Sequence, residues 1–211
     1  MLEFYHTPWS RSIGVHWLLE ELGQPYEMKI VDVRAKGGVA ESYRAIQPNK
    51  KVPAIVDGGT VVTERAAISI YLADRFPEAG MAPAIGDPER APYLTMLVYC
   101  DSVLDPAIAA RANGWAYESG NSFSFGLFED MVAYLERTLS QRAYAAGGSF
   151  TAADTHLASS VQFTMDVIKV LPEKPVFRDY LSRALARPAY ERAMGKDMEL
   201  VKTVTPPPGM S

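Results

Sequence analysis

The sequence predicts an α/β segment followed by an all-α segment, and three observations predict it. Short β-branched runs alternate with helical stripes as far as Phe76. Residues 77–92 then carry four prolines and two glycines, the composition of a connection between domains. Beyond that stretch the apolar residues recur at helical spacing, with no convincing strand. The expected division is a first domain over 1–78, a linker over 79–89 and a helical-bundle domain over 90–211.

Each element has a local reason. Leu2–Tyr5 is a short apolar start with strand character. Val15, Leu18, Leu19 and Leu22 fall at i, i+3, i+4 and i+7, which draws one face of a helix, and Gly23 is placed to stop it. Met28–Val33 is β-branched enough for a second strand, and a strand-helix-strand order suggests a parallel pair. Residues 52–56 and 60–63 flank Asp57-Gly58-Gly59, a strong hairpin signal. Glu64 opens a helix with Ile68, Leu72 and Phe76 on one side. The order β-α-β then β-β-α describes a sheet of thioredoxin type, βαβαββα with the helix that joins its halves. In the second half, residues 91–111, 125–140, 152–170 and 176–187 show 3.6-residue periodicity. Thr151-Ala-Ala-Asp154 reads as a capping box. The tail from Thr205 reads as extended.

Composition narrows the function. The 211 residues are 48% hydrophobic and 22% charged, an ordinary folded composition. A net charge of −4 without clustered Lys or Arg gives no footprint for nucleic acid. No apolar run approaches the roughly 20 residues that cross a bilayer. A start without signal-peptide character and a single cysteine point to a cytoplasmic, reducing setting. Nucleotide-binding glycine motifs are absent, and His6, His16 and His156 have no ligand-like spacing, so neither a nucleotide cofactor nor a metal is expected. His156, at a helix start, reads as a packed or capping residue. Cys100 reads as a small buried hydrophobe.

Three features bear chemistry. His6-Thr7-Pro8-Trp9-Ser10-Arg11-Ser12 is a hydroxyl-rich loop entering a helix, where the positive helix end favours an anion or thiolate; a plain N-cap explains it too. Asn49-Lys50-Lys51-Val52-Pro53 brings a proline to a strand start, so Val52 is extended and its backbone suits a peptide-like ligand, or simply a turn. At Thr63-Glu64-Arg65-Ala66 the hairpin gives way to a helix. Its first N–H groups suit a carboxylate and Glu64 suits an ammonium, the two charges of an α-amino acid; a solvated first-turn acid is the alternative.

In this order, and followed by a linker and helices, these features resemble the soluble glutathione transferase family, its bacterial members above all. Trp17–Gly23, Pro48–Pro53, Glu64–Phe76 and Phe150–Asp154 carry the likeness over nearly the whole chain. The resemblance implies a first domain that binds glutathione and a helical domain that supplies most of the second-substrate pocket. It implies that Val52, before a Pro53 that is cis in relatives, pairs with the cysteinyl unit. Glu64 and Arg65 would hold the γ-glutamyl end, and Lys51, with Arg34 or Lys36, the glycine carboxylate. Counting back from Glu20, Ser10 stands where beta-class relatives have a catalytic Cys, with Thr7 and Ser12 as rival hydroxyls and Arg11 as a possible aid. Asp101 stands near an acid that reaches the neighbouring subunit's glutathione in several classes, which goes with a homodimer. The second pocket is assigned to Trp9, Tyr99, Arg111, Trp115, Tyr117 and Phe123. Where relatives have a Ser after the Glu, this chain has Arg65, so a hydroxyl contact is missing.

The implied reaction joins a glutathione thiolate to an apolar electrophile, with glutathione as co-substrate and no resident cofactor. Lowering a thiol from about 8.5 by two units requires about 2.7 kcal/mol of differential stabilisation. A hydroxyl hydrogen bond to the thiolate contributes roughly 1.5–3 kcal/mol, and a helix end roughly 0.3–1 more. Alternatives on the same fold are a glutathione-dependent peroxidase or disulfide reductase and a non-catalytic binding or regulatory protein. The missing loop cysteines argue against redox chemistry through a protein mixed disulfide.

Overall fold

The computed structural model describes residues 1–117 and 119–207. Its contacts divide the chain into two units: 1–79 together with 187–211, and 80–186. The sequence places 187–211 with the helical domain; the structure returns the described part of this segment, 187–207, to the first unit.

The first unit is a four-stranded sheet in the order β2-β1-β3-β4, with β1 Leu2–His6, β2 Tyr26–Ile30, β3 Ala54–Asp57 and β4 Thr60–Thr63. β1 and β2 run parallel, joined through helix α1, Ile13–Leu22; β1–β3 and β3–β4 are antiparallel. The helical stripe behaves as its spacing dictates: Val15, Leu18, Leu19 and Leu22 are all buried. Gly23 ends α1 in the left-handed conformation at φ 64°. Gly58 and Gly59 turn the hairpin, both with positive φ, which a two-residue turn between twisted strands demands. Helix α2, Arg65–Arg75, buries Ile68 and Leu72. Between β2 and β3 the connecting helix is one 3-10 turn, Glu41–Ala45. Gly37 and Gly38 precede it with positive φ, and the chain there is too short of apolar residues to hold a longer helix.

The second unit contains α3, Arg90–Tyr99; α4, Asp105–Ala112; α5, Phe128–Gln141; α6, Ala152–Gln162; and α7, Pro175–Leu185. A π turn at Cys100–Leu104 joins α3 to α4. Pro106 lacks an N–H, so the ladder must adjust there, and widening by one residue is a common way. Tyr93, Met96, Leu97, Leu104, Leu157, Phe177 and Tyr180 form its core. The capping box forms: Thr151 Oγ1 accepts from Ala153 N and Asp154 Oδ2 accepts from Thr151 N.

Helix α8, Pro188–Leu200, is the element absent from the sequence reading. Its inner face is Ala189, Ala193 and Asp197, too small and polar to signal a core stripe. It packs against α1. Tyr190 meets Trp17 edge-on with ring centroids 4.9 Å apart, and Arg187 grips both oxygens of Glu21 at 2.6 and 2.7 Å.

Candidate functional site

Strand register brings the three sequence features to one end of the sheet. Tyr5 pairs with Ala54 and Ala54 pairs with Thr63, so the exit of β1, the entry to β3 and the exit of β4 coincide. The loop 7–12, the Val52–Pro53 segment and Glu64 are the residues just beyond those three positions. Both α1 and α2 begin there, so two positive helix ends serve the same place.

The Val52–Pro53 peptide is cis. Lys51 is fixed from both sides, its N–H donating to Gln47 Oε1 at 3.1 Å and its carbonyl accepting from Tyr43 Oη at 3.0 Å. The backbone of Val52 takes part in none of the turn and loop hydrogen bonds among the described residues. Pro53 is buried, Val52 half-buried, and the Lys51 side chain reaches solvent. Glu64 is exposed and holds φ 68°, a left-handed backbone that costs a non-glycine residue about 1–3 kcal/mol. Trp9 at φ 55° and Lys50 at φ 54° share that strain at the same end. Arg65 is buried and starts α2.

The three rival hydroxyls are not equivalent. Thr7 is fully buried and its Oγ1 donates to the Val31 carbonyl. Ser12 is fully buried as well; it stands at the N-cap of α1 yet makes no side-chain cap hydrogen bond, because its Oγ turns to His6 Nδ1 at 2.7 Å. Ser10 is half-buried, with Oγ 2.6 Å from Ser12 Oγ and 2.7 Å from the Thr7 carbonyl. Ser10 is therefore the hydroxyl of the three with access from outside. The simple N-cap explanation of the loop does not describe it. Arg11 is half-buried.

Arg34 has a different task from the carboxylate contact. Its Nη2 donates to the Pro8 carbonyl at 2.8 Å, Nη1 to Trp9 at 3.4 Å and Nε to Thr205 at 2.8 Å. It thereby ties the hydroxyl loop to the segment after α8.

Behind the loop lies a buried polar network that the sequence did not reveal. His6 Nε2 and His16 Nδ1 both reach Asp197 Oδ1, at 3.0 and 2.7 Å. His16 Nε2 lies 3.0 Å from Tyr26 Oη, which donates to Glu20 Oε1 at 2.6 Å. Glu20 also takes Lys196 at 2.5 Å and Arg192 at 3.2 Å. Burial alone would raise Asp197, but the hydrogen bonds from His16 and His6 outweigh it and hold the carboxyl below its ordinary value. For His6, burial is the larger effect and lowers it despite Asp197. The one available signal was His6 itself, which takes a buried position of β1 in alternation with Leu2 and Phe4.

The pocket residues divide between the units. Trp9 belongs to the first. Within the second, Arg111, Trp115 and Tyr117 line a cavity of 440 Å³ with Leu127, Phe128 and Glu129. Arg111 pairs with Glu129 and lies over the Phe128 ring at 4.3 Å. Phe123 sits on Tyr117 at 5.3 Å and stacks on Phe125 at 5.2 Å. Tyr99 is not among these lining residues; it packs on Tyr134 at 4.4 Å. Asp101 accepts from His156 at 3.1 Å.

A thioredoxin-like sheet with a strained end served by two helix N-termini, together with an all-helical unit, is an architecture that known proteins share. Residues 4–80 match the family model described as the glutathione S-transferase N-terminal domain. Glutathione S-transferase 3 of Schizosaccharomyces pombe is 26% identical over 99% of this chain and 97% of its own. A glutathione transferase structure from Methylococcus capsulatus is 27% identical, with TM-score 0.77 over 94% of this chain and 100% of that one. A sphingomonad glutathione S-transferase solved with glutathione is 26% identical, with TM-score 0.73 over 93% and 98%. The chain is thus similar to glutathione S-transferases over nearly its whole length, and residues 4–80 match their N-terminal domain.

Proposed function

We propose that the protein binds glutathione at the shared end of β1, β3 and β4 and transfers its thiolate to an apolar electrophile. The register that brings Ser10, Val52 and Glu64 to one sheet end carries this reading. The backbone of Val52 receives the cysteinyl unit as an added strand, in the manner of β-augmentation. The exposed Glu64 carboxylate takes the γ-glutamyl ammonium, and the start of α2 with Arg65 takes its carboxylate. Lys51 meets the glycine carboxylate. Ser10 donates to the sulfur, and the N-terminus of α1 adds its partial positive charge. Thiolate and electrophile are then held at close range, so proximity supplies much of the rate. No resident cofactor takes part.

The 440 Å³ cavity beside Arg111, Trp115 and Tyr117 supports an apolar acceptor with an anionic edge. Resemblance to the family supports a homodimeric cytoplasmic enzyme of detoxification, with Asp101 facing the partner's glutathione. No helix among the described residues is long and apolar enough to cross a membrane.

Calorimetry with glutathione, followed by assays with an aryl halide and an organic peroxide, tests the reading. Binding and aryl-halide turnover are expected. Turnover of the peroxide alone would make the enzyme a peroxidase, and binding without turnover of either would make it a carrier or regulator. Cys100 is fully buried, which leaves no accessible protein thiol for a mixed disulfide.

A further inference from the structure

The hydroxyl loop and the buried histidine cluster form one hydrogen-bonded line, and counting its protons limits how it works. Ser10 Oγ and Ser12 Oγ are 2.6 Å apart, so one proton must lie between them. If Ser10 supplies it, Ser12 is free to donate to His6 Nδ1, and His6 is neutral at that nitrogen. If Ser12 supplies it, the Ser10 proton goes either to the Thr7 carbonyl at 2.7 Å or to a group outside, and His6 Nδ1 must donate to Ser12 across 2.7 Å. In that second setting both ring nitrogens of His6 carry protons, because Nε2 faces the Asp197 carboxylate. The two settings differ by one proton on His6, and by whether Ser10 accepts or donates at the exposed end of the line.

Those are the two states that a bound thiol requires. A thiol donates to Ser10, whereas a thiolate accepts from it. We propose that His6 takes up the glutathione thiol proton, relayed through Ser10 and Ser12, and that Asp197 holds the resulting imidazolium. The inference rests on the proposed glutathione site and adds where its proton goes. The S–H bond breaks with the electron pair left on sulfur. Ser10 gains that proton and passes its own to Ser12, which passes its own to His6 Nδ1. Thiol plus neutral imidazole becomes thiolate plus imidazolium, so the site as a whole does not change charge.

The surroundings of His6 fit an acceptor that is empty at rest. Asp197 reaches it from α8, and His16 from α1 shares the same carboxylate oxygen. Tyr26 of β2 donates to Glu20, which leaves the Tyr26 oxygen to accept from His16 Nε2. His16 thus stands between the Tyr26 hydroxyl and the Asp197 carboxylate. Burial lowers His6 against the pull of Asp197 and keeps it neutral. Glu20, with Lys196 and Arg192, closes the far end of the network. His6 and Asp197 act through the serines and are positioning residues, with Ser10 the group that touches sulfur.

The test counts protons. Glutathione binding is followed by calorimetry in two buffers of different ionisation enthalpy, with thiolate measured in parallel by its ultraviolet absorbance. For the wild type, fewer protons than thiolates are expected in the buffer. His6→Asn keeps an acceptor near the Nδ1 position but cannot take up a proton. It should raise the apparent thiol pKa by about one unit, a tenfold loss of thiolate well below that pKa, and release every proton of the remaining thiolate. Ser12→Ala cuts the line while leaving both imidazoles and their Asp197 contacts in place and should do the same, which separates the relay from any folding defect of His6→Asn. One released proton per thiolate in the wild type, or a Ser12→Ala profile equal to the wild type, overturns the relay while the glutathione site stands. Absence of binding heat in the wild type overturns both.

Discussion

Asp154 and Asp197 are both buried carboxylates on helices, yet their surroundings give them opposite characters. Asp154, in α6, accepts from the backbone of Ala145 and Thr151 and from the hydroxyl of Tyr180, all neutral donors. Burial dominates there and pushes it up to about 6. Asp197, in α8, accepts from two imidazoles and is held low. The first network connects only structural groups. The second reaches, through His6 and Ser12, a hydroxyl open to the outside. Burial of a charge alone therefore says little about function; what matters is whether the partners can change protonation and whether the chain of bonds surfaces at a site.

The largest break in this comparison is Asp154→Ala. Four buried donors, the Thr151 hydroxyl included, lose their acceptor together, so unfolding in urea should show a loss of about 3–5 kcal/mol, without altering the thiol pKa of bound glutathione. Asp154 and the His6 side of the Asp197 cluster should also separate by pH. The folded state holds the Asp154 proton up to about pH 6, while the unfolded chain releases it near 3.8. Its contribution to stability therefore falls as pH rises from about 4 to 6, by on the order of 2–3 kcal/mol, and stays at that lower level above. His6 has the reverse sign. The unfolded chain takes up its proton near 6.5 and the folded one resists, so stability is lost as pH falls below that value. Hydrogen exchange of α6 and α8 amides across this range reads the two separately; α6 should be better protected in mild acid and α8 less. A common sign in both helices would end the distinction.

Smaller effects sharpen the site itself. Glu64→Gln removes one charged partner of the glutamyl end and should weaken glutathione binding about tenfold by calorimetry, with the helix intact. Ser10→Ala should raise the bound thiol pKa by about one unit, a loss of roughly 1.4 kcal/mol, while leaving urea stability nearly unchanged because Ser10 is only half-buried. Equal thiol pKa values in Ser10→Ala and wild type would move the activating role elsewhere.

Much of this was legible because its causes are short-range. The α1 stripe, the Gly58-Gly59 turn and the Thr151–Asp154 box each depend on residues within a few positions of one another. The choice among Thr7, Ser10 and Ser12 was not, since all three fit a loop before a helix and only burial separates them. Arg34 looked like a carboxylate ligand because its charge is visible in sequence and its carbonyl partners are not.

The sequence by itself determined the order of elements as far as α7, the hairpin, and the capping box of α6, since periodicity and turn chemistry act locally. Only the tertiary structure decided that α8 returns to the first unit and that Asp197 meets a histidine 191 positions away. That contact comes from the packing of an Ala-lined helix face on α1, and a face so small leaves almost no hydrophobic pattern to read.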